Sequence, residues 1–499
     1  MGIVIKQSLY STIITYLGVI IGFINIIFLY QIYLSPEQYG LTNILLSVSL
    51  IASYLSQFGL VNITTRFFPY FQNKENSNNG FLFFAFLVSS IGILIISIIL
   101  IFIKPIVVVF YSENASLFTK YYYYVIPLLL SQAWYSIFES YLKSHLKTIF
   151  TTFIRELYIR LLATICLILY ALKIINFEEF IQLYTATYAS MVIAVLIFMY
   201  YSKTFLFLPS LNIFKSPLRK QILIYGCFTV FANVSAILIS NIDKLMLAYY
   251  PTGLNGVGIY SIACFISGII LIPRRSITNI TAPLISEYWK TNNMKEINNI
   301  YYKSSLNLTT IGLLIFILIW ANINNISEIL KGDYKGTETI IILLAIAKLS
   351  DVILGSIDWI ISSSKYYYVI SITNILMILL MIATNYILIP MYGIIGCSIA
   401  TIITMFTISL IRFLFSYYKF NMKLFDKSFL LVFLISIISL VIAYFLPLTE
   451  NLFLNILIKT SAILIIFLPL IYIFKISEDI NKTINSFIVK YINESFLIK

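Results

Sequence analysis

Apolar runs recur along the whole chain, and most are as long as a helix that crosses a bilayer, which needs about 20 residues. Polar and charged residues gather in the short stretches between these runs. Because lipid satisfies no backbone hydrogen bond, the runs predict helices. The pattern predicts an all-α polytopic membrane protein with fourteen transmembrane helices, at 9–34, 41–68, 81–103, 122–142, 150–172, 179–201, 221–249, 256–285, 304–322, 338–361, 366–389, 393–417, 428–446 and 452–474.

The loop cations predict the orientation of these spans. With the N-terminus inside, most loop lysines and arginines lie in cytoplasmic segments, as the positive-inside rule expects. The outside loops then hold only Lys104, Lys120, Lys173, Lys331 and Lys335. We therefore expect a multi-pass protein of the bacterial cytoplasmic (inner) membrane, with both termini in the cytoplasm.

Composition narrows the class further. Of the 499 residues, 60% are hydrophobic and 11% are charged, whereas soluble domains carry about 25% charged residues. A soluble globular protein is therefore excluded. The net charge of +13 has two explanations that stay open: the cytoplasmic excess of lysine and arginine, or an anionic substrate.

The sequence contains few residues that could act in catalysis or bind a cofactor. Its single histidine, His145, excludes a histidine-based metal site, and its four cysteines lie in apolar segments. The outside loops are too short to hold a catalytic domain, and no nucleotide-binding loop is present. We expect no enzyme, no cofactor, no nucleic-acid partner and an energy source other than ATP.

An internal repeat relates the two halves at an offset of about 216–218 residues. Tyr39-Gly40 opens the second span, and Gly258-Ile259-Tyr260 opens the eighth. The offset covers six spans, so both halves have the same orientation, as in transporters with parallel repeats. The predicted domains are an N-terminal six-helix lobe (1–202), a cytoplasmic linker (203–220), a C-terminal six-helix lobe (221–418), two extra transmembrane helices (428–474) and a cytoplasmic amphipathic tail (475–499).

Two repeat-related spans carry polar stripes at helical spacing. The stripe of the tenth span comprises Lys348, Asp351, Gly355 and Asp358. The stripe of the fourth span comprises Gln132, Ser136, Glu139 and Lys143. Such stripes predict a hydrated cavity. The alternative, in which Lys348 and Asp351 pair with each other as a packing device, stays open.

Four more ionisable residues lie inside apolar spans, where each charge costs about 2.5–3.5 kcal/mol on insertion scales. Asp243 and Lys244 are neighbours in the seventh span, and Arg274 and Arg275 follow Pro273 in the eighth. Two guanidiniums beside a proline kink would suit a phosphate or a carboxylate. The alternatives are that Lys244 and the arginines snorkel to the interface and that Asp243 caps a neighbouring helix.

Two further residues are candidates for the same cavity. Arg66 lies at a cytoplasmic span end, where positive-inside anchoring also accounts for it. Asn25 is an unaccompanied polar residue of the first span.

Several short motifs lie in order over nearly the whole chain: KQS at 6–8, LSPEQYGL at 34–41, IDK at 242–244, VGIYS at 257–261, IPR at 272–274 and NYILIPMYGIIG at 385–396. Together they resemble the motifs of polysaccharide flippases of the multidrug/oligosaccharidyl-lipid/polysaccharide exporter superfamily. The resemblance implies flipping of polyprenyl-diphosphate-linked oligosaccharides, the repeat units of O-antigen (lipopolysaccharide) or capsule. It also implies two lobes around a cationic cavity, and alternating access driven by an ion (H+ or Na+) or by the membrane potential.

The resemblance assigns expected roles to the charged residues. Substrate-binding candidates are Arg274, Arg275, Lys244, Lys348, Arg66 and Asn25. Coupling-ion candidates are Asp243, Asp351, Asp358 and Glu139. Expected partners are the lipid-linked oligosaccharide, membrane lipids and the polymerase or ligase of polysaccharide assembly.

Two other functions compete with this one. A multidrug or toxin cation antiporter of the same superfamily would have a cavity dominated by carboxylates and aromatics, whereas here cations and carboxylates are mixed. A membrane polymerase or glycosyltransferase would need a sizeable outside loop, which this sequence lacks.

Overall fold

The computed structural model describes residues 2–72, 77–207, 209, 217–330, 332–334, 336–446, 451–482 and 485. Nearly all of these residues are helical, and no strand occurs among them. This confirms the all-α polytopic fold. The chain forms two compact units, Met1–Ser261 and Ile262–Lys499, and we call them unit 1 and unit 2.

Unit 1 contains eleven helices and most of a twelfth among its described residues. They are α1 (Gly2–Ile24), α2 (Gln31–Tyr33), α3 (Pro36–Ser56), α4 (Leu60–Phe71), α5 (Phe81–Tyr111), α6 (Ser116–Tyr121), α7 (Val125–Ser144), α8 (Thr148–Phe153), α9 (Ile159–Ala171), α10 (Phe177–Tyr201), α11 (Arg219–Tyr249) and α12 (Gly253–Gly268), which continues into unit 2. Two π-helical turns interrupt the regular helices, at Asn25–Tyr30 and Ile154–Tyr158.

Unit 2 contains eight further helices. They are α13 (Ile272–Lys290), α14 (Met294–Ala321), α15 (Ile323–Ile329), α16 (Glu338–Val352), α17 (Ile357–Ser363), α18 (Tyr368–Phe420), α19 (Lys427–Tyr444) and α20 (Leu452–Ile473). A 3₁₀ turn at Ile269–Leu271 separates α12 from α13. Helix α14 packs against α13, α16, α19 and α20, which makes it central to this unit.

Local sequence sets several helix starts. Ser35 and Gln38 form a capping box at the start of α3, with Pro36 in the first turn, and Asn176 with Glu179 does the same for α10. These side chains satisfy backbone N–H groups that have no partner inside the helix. Each start therefore follows from residues within one turn of it.

The described part of the chain contains ten helices long and apolar enough to cross a membrane, or eleven when the bent pair α16–α17 counts as one span. Each of the fourteen predicted spans falls mostly on helical residues. The spans predicted at 122–142 and 150–172 correspond to α7 and to α8–α9, which are not among the ten. The count of fourteen stays a prediction.

Helix α18 is 53 residues long because it joins two helices across a kink. Gly393 has φ 58° and ψ −132° there, which is not helical and suits glycine. Two spans were predicted on either side of this point, at 366–389 and 393–417. The kink therefore lies where the sequence places the turn between them.

Helix α11 packs along α3 and α4 and so belongs to unit 1. The compact units thus differ from the predicted lobes, which assigned this helix to the second half. The domain limits and the repeat on which they rest stay predictions. Parts of the predicted linker (208, 210–216) and tail (483–484, 486–499) lie outside the described residues, as do Lys74, Lys331 and Lys335.

Two glycines that the repeat relates lie close together in unit 1. A Cβ added to Gly40 would collide with the carbonyl oxygen of Leu254 and fall 3.1 Å from the amide nitrogen of Gly258, and one added to Gly258 would collide with the carbonyl oxygen of Pro36. These approaches are closer than side chains allow. The starts of α3 and α12 therefore meet backbone to backbone, which explains a glycine at both positions.

Candidate functional site

Two broken helices meet in unit 2. The 3₁₀ turn Ile269–Leu271 interrupts the segment α12–α13, and residues 353–356 interrupt α16–α17 with a bend of 43°. Helix α13 packs on α17, and the 3₁₀ turn packs on α16. Discontinuous helices inside membranes occur where backbone lines a site or is buried in protein, so this place is a candidate for substrate or ion chemistry.

Gly355 produces the second break. Its φ is +59°, and a Cβ at this position would collide with Ser305 of α14. The polar stripe predicted for one continuous helix face is therefore wrong in its geometry, because Lys348 and Asp351 lie on α16 while Asp358 lies on α17. Pro273 lies in the first turn of α13, directly after the 3₁₀ turn, within a helical segment that runs from Gly253 to Lys290.

Arg274 connects the two broken helices. Its guanidinium forms ion pairs with Asp351 on α16 and, at 2.7 Å, with Asp358 on α17. The Arg274 side chain is only 18% exposed. Asp351 thus pairs with Arg274, and the alternative pairing of Lys348 with Asp351 is wrong.

Arg412 on α18 completes this cluster, and the sequence analysis missed it. Its Nη1 donates to Asp358 at 2.9 Å, while its other nitrogens donate to Thr373 and Asn374. An arginine inside the predicted span 393–417, in its C-terminal part, was the available signal. The cluster Arg274–Asp351–Asp358–Arg412 carries two positive and two negative charges, and we call it the arginine–aspartate cluster.

The other two predicted cations of unit 2 are not part of this cluster. Lys348 is half-buried one turn from Asp351 and has no hydrogen bond or ion pair to any described residue. Arg275 is exposed, although its neighbour Arg274 points inward. Consecutive residues on a helix diverge by about 100°, so the two arginines do not form one anion clamp.

Unit 1 holds a different charged cluster around Glu139. This carboxylate is buried and pairs with Lys143 at 2.9 Å and with Arg155. Arg155 lies in the π-helical turn Ile154–Tyr158. The cluster has one negative and two positive charges and sits on an unbroken α7.

Asp243 and Lys244, two predicted site residues that are adjacent in sequence, contact different helices of unit 1. Asp243 accepts a hydrogen bond of 2.6 Å from the Tyr260 hydroxyl of α12. Lys244 donates to Asn43 of α3 at 3.1 Å. One turn earlier on α11, Asn241 accepts from Ser47 of α3 at 2.8 Å. These polar contacts hold α11 on its neighbours.

The last two candidates have local partners. The guanidinium of Arg66 stacks over the Tyr225 ring at 4.5 Å. Asn25 is buried in a π-helical turn, where it donates to the Arg160 carbonyl and accepts from Thr164. Asn25 therefore joins α1 to α9. No group of three or more His, Cys, Asp or Glu side chains in the described ranges could hold a metal ion.

Comparisons with known proteins identify a family and a relative that this chain resembles. The model of the family described as polysaccharide biosynthesis protein matches residues 4–289. An uncharacterized membrane protein of Methanocaldococcus jannaschii is 22% identical over 407 residues, which is 77% of this chain and 78% of that protein.

Two solved structures share the architecture. The lipid II flippase MurJ, in an inward closed conformation, aligns with a TM-score of 0.75 at 16% identity, over 93% of this chain and 98% of its own. A multidrug resistance MATE family transporter of the MOP superfamily, inward-facing, aligns with a TM-score of 0.62 at 13% identity, over 81% and 94%. At these identities the likeness shows a common fold. The family match covers more than half of the sequence, and the chain belongs to the polysaccharide biosynthesis protein family.

Proposed function

We propose that the protein is a flippase that moves polyprenyl-diphosphate-linked oligosaccharide, an O-antigen or capsule repeat unit, across the bacterial cytoplasmic membrane. Transport proceeds by alternating access and uses an ion gradient or the membrane potential. Both termini lie in the cytoplasm, and the transported units pass to a polymerase or ligase. Family membership supports the polysaccharide substrate, and the transporter fold supports movement across the membrane.

The observation that carries the proposal is the position of Arg274 between two carboxylates at two broken helices. A guanidinium matches phosphate oxygens in two-point hydrogen bonding, and it is worth most where water is excluded. A diphosphate supplies the same kind of oxygen anion as Asp351 and Asp358. It can therefore replace them at Arg274 when the cluster rearranges.

Neighbouring charges define the rest of the proposed substrate contact. Lys348 lies one turn from Asp351 and has no ion pair to a described residue, so its ammonium adds a second positive charge for the diphosphate. Asp351 and Asp358 are the proposed coupling carboxylates, because the substrate diphosphate takes their place at Arg274. Glu139 and Lys244 instead hold helices of unit 1 in place.

The experiment is deletion of the gene in its host, with complementation by wild type, Arg274→Ala, Lys348→Ala or Arg219→Ala. Arg219 is an exposed arginine at the start of α11 and serves as the matched control. The readouts are surface polysaccharide and lipid-linked repeat units in the inner leaflet. We expect the deletion to lose polymer and accumulate lipid-linked units, with rescue by wild type and Arg219→Ala but not by Arg274→Ala.

The same test addresses the second candidate, a multidrug cation antiporter. The two carboxylates of the arginine–aspartate cluster and the MATE-like fold favour it. Normal polymer together with new sensitivity to cationic drugs in the deletion strain would refute the flippase and support the antiporter.

A further inference from the structure

A row of three hydroxyl groups runs along one face of α14. Tyr301, Ser305 and Thr309 are spaced four residues apart and are fully buried, with 0% exposure. None of the three hydroxyls has a hydrogen-bond partner among the described protein groups. A buried polar group left unpaired costs about 1–3 kcal/mol, so three in a row require an explanation.

Other hydroxyls of the same helix are satisfied locally. Ser304 donates to the Tyr301 carbonyl at 3.1 Å, and Thr310 donates to the Leu306 carbonyl at 2.8 Å. This backbone bonding is the usual solution for serine and threonine inside a helix. The Ser305 and Thr309 hydroxyls do not use it, and the Tyr301 hydroxyl is too far from its own backbone to do so. The row instead lies against a neighbouring element.

That element is the broken helix α16–α17, which runs antiparallel to α14. Ser305 lies against Gly355 in the break. Tyr301 lies one turn before Ser305 on α14, which also contacts α17, and Gly312, beyond Thr309, packs on Leu349 and Val352 of α16. The hydroxyl row therefore follows the break from the level of Asp358 to the last turn of α16.

The charged and titratable groups around Asp358 come from each helix packed on α17. They are Arg274 from α13, Arg412 from α18 and Tyr301 from α14. Arg412 keeps its hydrogen bonds to Thr373 and Asn374 when Asp358 becomes neutral. Arg274 has only Asp351 and Asp358 as partners among the described residues. Arg274 therefore depends on the charge of Asp358 for one of its two contacts, whereas Arg412 has further partners in Thr373 and Asn374.

We propose that Tyr301, Ser305 and Thr309 line a file of ordered water along α14 that brings a proton to Asp358. The proton passes from water to a carboxylate oxygen of Asp358, its ion pair with Arg274 breaks, and a phosphate oxygen of the substrate takes that place at the guanidinium. Loss of the proton to the water file restores the ion pair and expels the phosphate. This inference rests on the proposed function and identifies its coupling ion as a proton.

The first test looks for the water itself. The full-length protein in nanodiscs is exposed to a radiolytic hydroxyl-radical pulse, and labelling of Tyr301 is measured by mass spectrometry. Water held beside a buried tyrosine makes it reactive despite its burial. We expect Tyr301 to be labelled in wild type and in Thr310→Val, and labelling to be lost in Thr309→Val. An unlabelled Tyr301 in wild type overturns the inference.

The second test measures transport. Proteoliposomes carry a fluorescent polyprenyl diphosphate bearing one sugar, and its flipping is driven by a pH gradient or by a Na+ gradient. We expect Tyr301→Phe to slow proton-driven flipping by roughly 10²-fold, the lower range for a positioned proton-transfer group. Thr309→Val should also be slow, while Thr310→Val, which loses a satisfied hydroxyl, keeps the wild-type rate.

The outcomes separate the two proposals. Equal proton-driven rates in Thr309→Val and Thr310→Val, or flipping driven by Na+ alone, would overturn the proposed water file. The proposed flippase function would be unaffected by that result. Wild type that flips no lipid under either gradient refutes the proposed function, and the labelling of Tyr301 then decides on the water file alone. Thermal melting of each variant identifies any that fails to fold.

Discussion

The fourth and tenth predicted spans occupy equivalent places in the sequence repeat, yet their charges are organised differently. Glu139 sits on an unbroken helix and is neutralised by Lys143 and Arg155, whose side chains are each 46% exposed. The arginine–aspartate cluster sits on broken helices, and its Arg274 and Arg412 are 18% and 10% exposed. One cluster has two cations for one carboxylate, and the other is balanced.

The difference teaches what each cluster can do. Glu139 has one partner on its own helix, Lys143, and one in the neighbouring π-helical turn, Arg155, so this cluster ties that turn to α7. The arginine–aspartate cluster shares Asp358 between two arginines, which lets one partner leave while the other stays. Broken helices around it supply backbone that can move. The two predicted spans thus both carry intramembrane charges, but the charges lie at different positions and have different partners.

The largest expected effect comes from removing one arginine from each cluster. Arg274→Ala leaves two carboxylates without this partner, which costs about 3 kcal/mol of stability, as for breaking a buried pair. It should also abolish lipid flipping. Arg155→Ala leaves Glu139 paired with Lys143 and should retain flipping. Melting temperature and flipping in proteoliposomes measure both effects, and equal transport by the two variants would remove the distinction.

Neutralising one carboxylate from each cluster comes next. Glu139→Gln weakens two charge-assisted hydrogen bonds and should cost about 2 kcal/mol, with the pH dependence of flipping retained. Asp358→Asn removes the proposed proton acceptor, so flipping should become insensitive to pH. Rates at several pH values, with melting curves alongside, test this pair. A retained pH dependence in Asp358→Asn would contradict the role given to that carboxylate.

A smaller effect should follow from straightening the break. Gly355→Ala adds a Cβ at φ +59° and against Ser305, which should cost about 1 kcal/mol or more and slow flipping. The matched control is Gly268→Ala, because a Cβ at Gly268 meets nothing within 4 Å. If both variants melt and transport alike, the bend at 353–356 has no functional importance.

The smallest stability effects concern two lysines. Lys143→Met removes an i,i+4 pair with Glu139 and should cost no more than about 0.5 kcal/mol, with transport unchanged. Lys348→Met removes no ion pair, so melting should stay constant while the apparent affinity for the lipid diphosphate falls. A titration of flipping rate against substrate concentration checks this. An unchanged affinity would exclude Lys348 from the substrate contact.

Much of the fold was predictable because membrane helices must be apolar and continuous over a bilayer. Each of the fourteen predicted spans lies mostly on helical residues, and the kink at Gly393 falls at the start of the span predicted at 393–417. The candidate charges were visible for the same reason, since an ionisable residue in an apolar run stands out. Arg412 met that criterion too and was overlooked.

The sequence by itself determined the fold class, the helix positions and the intramembrane charges, because hydrophobicity and charge are properties of single residues and short windows. Only the tertiary structure decided which charged residues form ion pairs and which helices pack together. Asp351 pairs with Arg274 and not with Lys348, and α11 packs on α3 and α4. The two ion pairs of Arg274 join residues more than 70 positions apart, and the break at Gly355 redirects a helix that periodicity treats as straight. Such choices depend on packing between distant segments, which no local pattern specifies.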